Sequence, residues 1–166
     1  MLQGLHHVAY RCRDAGETAA FYTGILGLRL AHVIVQDRVP STQAWSPHAH
    51  VFFEMEDGSY IAFFELAEAP PAQSDPNTPD WVQHLALQVK DEATLLAGKA
   101  RLEAAGQDVV GPTDHQFCKS IYFFDPSGHR LELTTRTEGP GQRAQFAAGA
   151  QAKLEDWQRR KGQGPA

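Results

Sequence analysis

The opening of the chain returns at its middle, and this repeat limits the possible folds more than any other feature. Leu5-His6-His7-Val8-Ala9-Tyr10-Arg11-Cys12-Arg13-Asp14 aligns with Val82-Gln83-His84-Leu85-Ala86-Leu87-Gln88-Val89-Lys90-Asp91. His, Ala and Asp fall at matching places, and Val8 matches Leu85 in apolar character. Two copies of one fold unit place His7 and His84 at related positions. Two histidines and a nearby carboxylate make a divalent-metal site. The repeat selects His7 over its neighbour, because His6 aligns with Gln83.

Each copy reads as β-α-β-β-β. In the first, residues 5–12 form a short apolar strand. Asp14 caps a helix, with Glu17 three residues on as in a capping box. Ala19, Tyr22, Ile25 and Leu26 continue one helical face, and Gly24 and Gly27 end it. Residues 28–35 are β-like, and a polar loop with Pro40 and Pro47 runs through 36–50. Residues 51–55 and 59–66 read as strands around the Asp57-Gly58 turn signal. The Pro-rich stretch 67–80 is a linker. The order then restarts with a strand over 81–90. Asp91 caps a helix carrying Leu95, Leu96 and Leu102, which Gly106 closes. Strands over 108–110, 121–124 and 130–135 follow. Residues 137–166 have no repeat partner. They form a tail with a weak amphipathic helix over 151–161, either exposed or an oligomer contact.

Composition narrows the function classes. The 166 residues carry a net charge of −5, which leaves no basic footprint for nucleic acid. An apolar share of 42% with 21% charged residues suits a globular domain. No apolar run reaches the roughly 18–20 residues that span a bilayer. The start lacks a charged-then-apolar signal pattern, so a cytoplasmic location is expected. Cys12 and Cys118 form no redox or metal motif.

Strand alternation sorts the candidates by face. His7, Ala9 and Arg11 share one face of the first strand, and His84 and Ala86 share one in the second copy. Arg130, Glu132 and Thr134 share a face of the last strand. Glu65 lies between Phe64 and Leu66 in the corresponding strand of the first copy. Each unit thus offers a His on its first strand and a Glu on its last. A carboxylate between apolar neighbours is costly to bury alone, and a divalent ion relieves that cost.

These residues resemble the vicinal oxygen chelate superfamily, which includes glyoxalase I, methylmalonyl-CoA epimerase, fosfomycin-resistance transferases and extradiol dioxygenases. The resemblance covers residues 3–136. Its carriers are Leu5-His6-His7-Val8-Ala9, the Ala20-Phe21-Tyr22-Thr23-Gly24-Ile25-Leu26-Gly27-Leu28 helix end, Gln83-His84-Leu85-Ala86, and Tyr122 through Glu132 with its Asp125-Pro126-Ser127-Gly128 core. It implies that His7, His84 and Glu132 bind the metal, with Glu65 as a fourth ligand in glyoxalase- and epimerase-like members. The stretch 113–132 is similar to the extradiol signature. By that likeness His115 and Tyr122 contact the oxygens of a catechol, while two His and one carboxylate leave open positions on Fe(II).

The expected fold is therefore α+β. Two tandem β-α-β-β-β modules, residues 1–66 and 81–136, form a curved mixed sheet around a metal-binding cleft within one domain, 1–136. The expected function is a non-haem Fe(II) extradiol-type dioxygenase acting on a small aromatic diol. Metal ligands are His7, His84, Glu132 and Glu65, and His115, Tyr122 and Glu65 are the catalytic candidates. Mn, Ni, Co and Zn also suit such ligands. The alternatives are a lyase or isomerase with Glu65 as ligand or base, and a non-catalytic protein that sequesters a ligand. His48 and His50 stand in the loop 36–50 as possible additions to the cleft. The resemblance also implies a homodimer.

Overall fold

A computed structural model describes residues 3–69 and 77–160. Part of the linker, 70–76, and the ends of the chain lie outside the described residues.

The first module begins with β1 (His7–Arg11) and α1 (Ala15–Ala19). Asp14 caps α1, its Oδ1 accepting from the Glu17 amide at 2.7 Å. The helix then widens into a π-helical turn over Ala20–Ile25, where the Leu26 amide reaches back to the Phe21 carbonyl. This turn buries Phe21 and Tyr22. The module closes with β2 (Arg29–Arg38), β3 (Trp45–Glu54) and β4 (Tyr60–Leu66). The second module repeats the plan with β5 (Leu85–Gln88), α2 (Glu92–Ala104), β6 (Val110–Asp114), β7 (Cys118–Phe124) and β8 (Arg130–Arg136). Asp91 caps α2, and Gly106, at φ +79°, ends it in the left-handed region. A last helix, α3 (Gln142–Arg160), follows.

The strands make two four-stranded mixed sheets, ordered β1-β4-β3-β2 and β5-β8-β7-β6. Each outer first strand runs parallel to the last strand of its own module. The architecture is α+β with tandem β-α-β-β-β modules. One face of each sheet carries the core, and the other face of each carries the candidate chemistry.

Several expected boundaries shift. The polar segment 36–50 is not a loop but the outer part of a hairpin formed by β2 and β3. Pro47 is accommodated where the pairing slips between Gln36 and Arg38, a bulge that spares the ladder a missing donor. The strand expected over 81–90 shrinks to Leu85–Gln88. The strand expected at 108–110 lies instead at Val110–Asp114. Helix α3 starts at Gln142, nine residues before the amphipathic pattern does. Its early part is rich in alanine, whose helix propensity needs no apolar stripe.

The modules join through their core faces. Phe21, Tyr22, Phe53 and Phe63 of the first module form one buried cluster with Leu95, Ile121, Phe123 and Leu131 of the second. The turn between β7 and β8 locks the joint. Asp125 is buried, and its Oδ1 accepts from the amides of Ser127 and His129, both at 2.9 Å. Its Oδ2 accepts from the Tyr22 hydroxyl at 3.1 Å. The His129 ring donates to the Arg11 carbonyl at 2.7 Å, and the Ser127 hydroxyl accepts from the Arg13 amide. Gly128 sits at φ +86° in this turn, a conformation open to glycine at little cost. The Asp125-Pro126-Ser127-Gly128 stretch is thus the clasp that holds the second module on the first.

Candidate metal and substrate site

The second module brings two of the candidate metal ligands together. Ala86 on β5 pairs with Glu132 on β8, so His84, two residues earlier, points to the same face as Glu132. His84 Nε2 lies 3.0 Å from Glu132 Oε2. The carboxylate side chain is only 7% exposed, while the imidazole, at 33%, reaches the cavity mouth. His84 Nδ1 sits 3.2 Å from the Val82 carbonyl, which only accepts. The Nδ1 proton is therefore committed there, and a neutral ring turns the lone pair of Nε2 toward a carboxylate oxygen. Two acceptors at 3.0 Å need a positive charge between them, either a proton or a metal ion. The second nitrogen anchored on a carbonyl is how ligand histidines are oriented. The pair therefore fits a divalent metal.

Beside it, Tyr122 on β7 pairs with Glu132 and shares its face. The Tyr122 hydroxyl is hydrogen-bonded to His115 Nε2 at 2.8 Å. Burial raises the Tyr122 phenol pKa and the Glu132 carboxylate raises it further, so the phenol keeps its proton. His84, His115, Phe117, Tyr122, Glu132 and Arg136 line a cavity of about 440 Å³. Four of the expected site residues, His84, His115, Tyr122 and Glu132, thus come together.

His7 does not join them. It lies on β1 beside His6, with 2.8 Å between their Nδ1 atoms, on the open face of the first sheet. That face also holds Phe52, Phe64, His48 and His50, because these pair in register with one another and with the residues of β1. The His50 ring stacks on Phe64 at 3.6 Å between centroids, and its Nε2 is buried without a partner. Burial holds its pKa down at about 4, helped by His7 and His48. Among the described residues, no three His, Cys, Asp or Glu side chains gather closely enough to hold a metal. The single four-ligand cluster expected from the sequence is therefore not formed within one chain.

Glu65 is corrected outright. In the first module Ala9 pairs with Ala62, just as Ala86 pairs with Glu132 in the second. Ala62 thus occupies the place equivalent to Glu132. Glu65 lies three residues further on, an odd step that turns it to the opposite, core-side face. There its Oε2 accepts from the Ala15 amide at 2.7 Å, at the positive N-terminal end of α1. Glu65→Ala should lower unfolding free energy by about 1 kcal/mol, as losses of helix N-terminal acceptors do. Metal stoichiometry should not change. Urea unfolding alongside metal analysis checks this, and lost metal would return Glu65 to the ligand set.

The model of the Glyoxalase/Bleomycin resistance protein/Dioxygenase superfamily matches residues 4–133. The chain belongs to this superfamily. The protein named "Putative ring-cleaving dioxygenase MhqA", from Bacillus subtilis (strain 168), is 28% identical over 143 residues. That match covers 84% of this chain but 42% of the relative, so the chain spans less than half of that protein's length. A 2-epi-5-epi-valiolone epimerase from Actinomyces sp is 28% identical over 148 residues, covering 81% of this chain and 80% of the enzyme. The crystal structure of a glyoxylase/bleomycin resistance protein/dioxygenase domain from Frankia sp. EAN1pec superposes with a TM-score of 0.67 at 21% identity. It covers 82% of this chain and 100% of that domain, which shows the fold. The superfamily joins ring-cleaving dioxygenases, epimerases and resistance proteins on one scaffold, mostly working with a divalent metal. Among the described residues no helix is long and apolar enough to cross a membrane.

Proposed function

We propose that the protein is a metal-dependent extradiol-type dioxygenase acting on a catechol-like aromatic, with each site completed between two copies of the chain. In a symmetric dimer, His7 of one copy would join His84 and Glu132 of the other. The observation that carries this reading is the His84–Glu132 pair flanked by the hydrogen-bonded His115 and Tyr122. A two-His, one-carboxylate set follows once Ala62, not a glutamate, fills the fourth place.

A divalent ion held there, Fe(II) above Mn, Ni, Co or Zn, would supply open positions for two catechol oxygens and dioxygen. The chain's own residues do the rest. Tyr122, protonated and hydrogen-bonded to His115, is placed to donate to a substrate oxygen. His115 can take or return a proton through that bond. Phe117 offers an apolar wall to an aromatic ring. The name of the Bacillus relative supports the same class of chemistry.

The lyase or isomerase alternative loses its carboxylate, because Glu65 is engaged with α1 on the far face. Oxygen uptake by protein loaded anaerobically with Fe(II) tests the proposal against a panel of substituted catechols. Uptake with a yellow ring-fission product is expected. A metal-filled site without uptake on any of them would overturn it.

A further inference from the structure

Two arginines of β8 share the face of Glu132, Arg130 and Arg136. Arg136 is engaged by Gln88 and Glu138, whereas Arg130 is left unused by the proposed chemistry. Arg130 stands two residues before Glu132 on β8 and pairs with Phe124 on β7. Its guanidinium carbon lies 4.6 Å from the centre of the Tyr122 ring, a cation–π contact that holds it in place. That contact satisfies none of its N–H groups, and Nε is buried with no hydrogen-bond partner. Arg130 makes no ion pair among the described residues. The nearby Glu132 is turned to His84 instead. A half-buried guanidinium with an orphaned donor is costly unless an acceptor meets it.

The place where an acceptor would come from is open. Arg130 lines a cleft of about 720 Å³ with Tyr10, Asp80, Gln83, His84 and Phe124. His84 lines this cleft and the 440 Å³ cavity alike. A ligand seated at His84 and Glu132 can therefore extend past the Tyr122 ring to Arg130. The walls there mix aromatic, aliphatic and polar residues, and Asp80 is the one carboxylate among the described lining residues.

We propose that Arg130 anchors an oxyanion group of the ligand, a carboxylate or a phosphonate, carried on the part of the molecule that points away from the metal ligands. This rests on the site described above and names its substrate class as anionic. A planar guanidinium suits such a group, which it can grip with two parallel N–H donors.

Isothermal titration of the purified full-length chain with three inert probes tests this. Phenylacetate and phenylphosphonate carry the oxyanion, and phenylacetamide is the neutral match. None bears a diol, so the result stands whether or not catechols support oxygen uptake. At least one anionic probe should bind about tenfold or more tighter than phenylacetamide, as a charge-assisted hydrogen bond predicts. Which anion binds identifies the group. Arg130→Met should erase the preference while leaving phenylacetamide unchanged, and Arg130→Lys should keep part of it. Asp80→Asn, removing a repelling charge, should tighten the anions. No anionic preference in the wild type would overturn the proposal. So would a preference that survives in Arg130→Met with circular dichroism unchanged, or anion affinity that falls in Asp80→Asn.

Discussion

Glu132→Gln should abolish stoichiometric metal binding and, with it, activity. The substitution is nearly isosteric, so it removes charge with little change in shape. A buried carboxylate oxygen lies 3.0 Å from His84 Nε2, and a cation held between them would balance both. An amide there offers at most one neutral acceptor. Partners that merely orient a ligand change metal affinity by about 10–100-fold, and a ligand itself carries more. The loss should therefore exceed roughly a hundredfold. Thermal melting gives a second readout. Metal that binds only the folded state raises the melting temperature, so added Fe(II) or Mn(II) should stabilise the wild type and not the variant. His84→Ala should behave in the same way. Full metal content in either variant would remove that residue from the ligand set.

Tyr122→Phe should separate chemistry from metal binding. The ring keeps its packing against His84 and beneath Arg130, and metal content should stay at the wild-type level. What disappears is the protonated hydroxyl bonded to His115. Loss of a positioned proton donor costs about 10²–10⁴ in kcat. Steady-state oxygen uptake should show kcat falling by that range with KM changed far less. His115→Asn should fall by less than Tyr122→Phe, since His115 is placed to act through the phenol. Unchanged kcat in both would make the pair a packing feature.

Much of the geometry of this candidate site was legible in the sequence. The repeat located His7 and His84, and alternation along β8 aimed Glu132 at the same side as His84. The failure at Glu65 has a definite cause. Alternation tells which residues share a face within a strand, but not how that strand registers against its neighbour. Register between β1 and β4 is set by pairing over about 50 residues of chain, and a slip of one residue reverses every face. Ala62, which holds the equivalent place, carries no chemical signal of its own. Glu65 looked like a ligand because a carboxylate between Phe64 and Leu66 needs a partner. It has one, the amide of Ala15.

The separation of His7 from His84 was illegible for a related reason. It depends on how the modules dock, and docking runs through Asp125, Tyr22, His129 and Arg11, residues up to 118 positions apart. The same stretch that signalled the superfamily thus also joins the modules. Arg130 was visible as a strand residue on the face of Glu132. Only burial of its Nε and its place over Tyr122 distinguish it from an ordinary surface arginine.

The most direct measurement pairs two inactive copies. His7→Ala and Glu132→Gln chains, carrying different tags, are co-expressed and the mixed dimer is purified. If sites form between copies, one of the two sites in that dimer holds both lesions and the other is intact. The mixed dimer should then regain about half of the wild-type activity per dimer, as two-fold symmetry dictates, and bind one metal. A mixed dimer as inactive as its parents, with wild-type dimers active, would contradict a site shared between two chains.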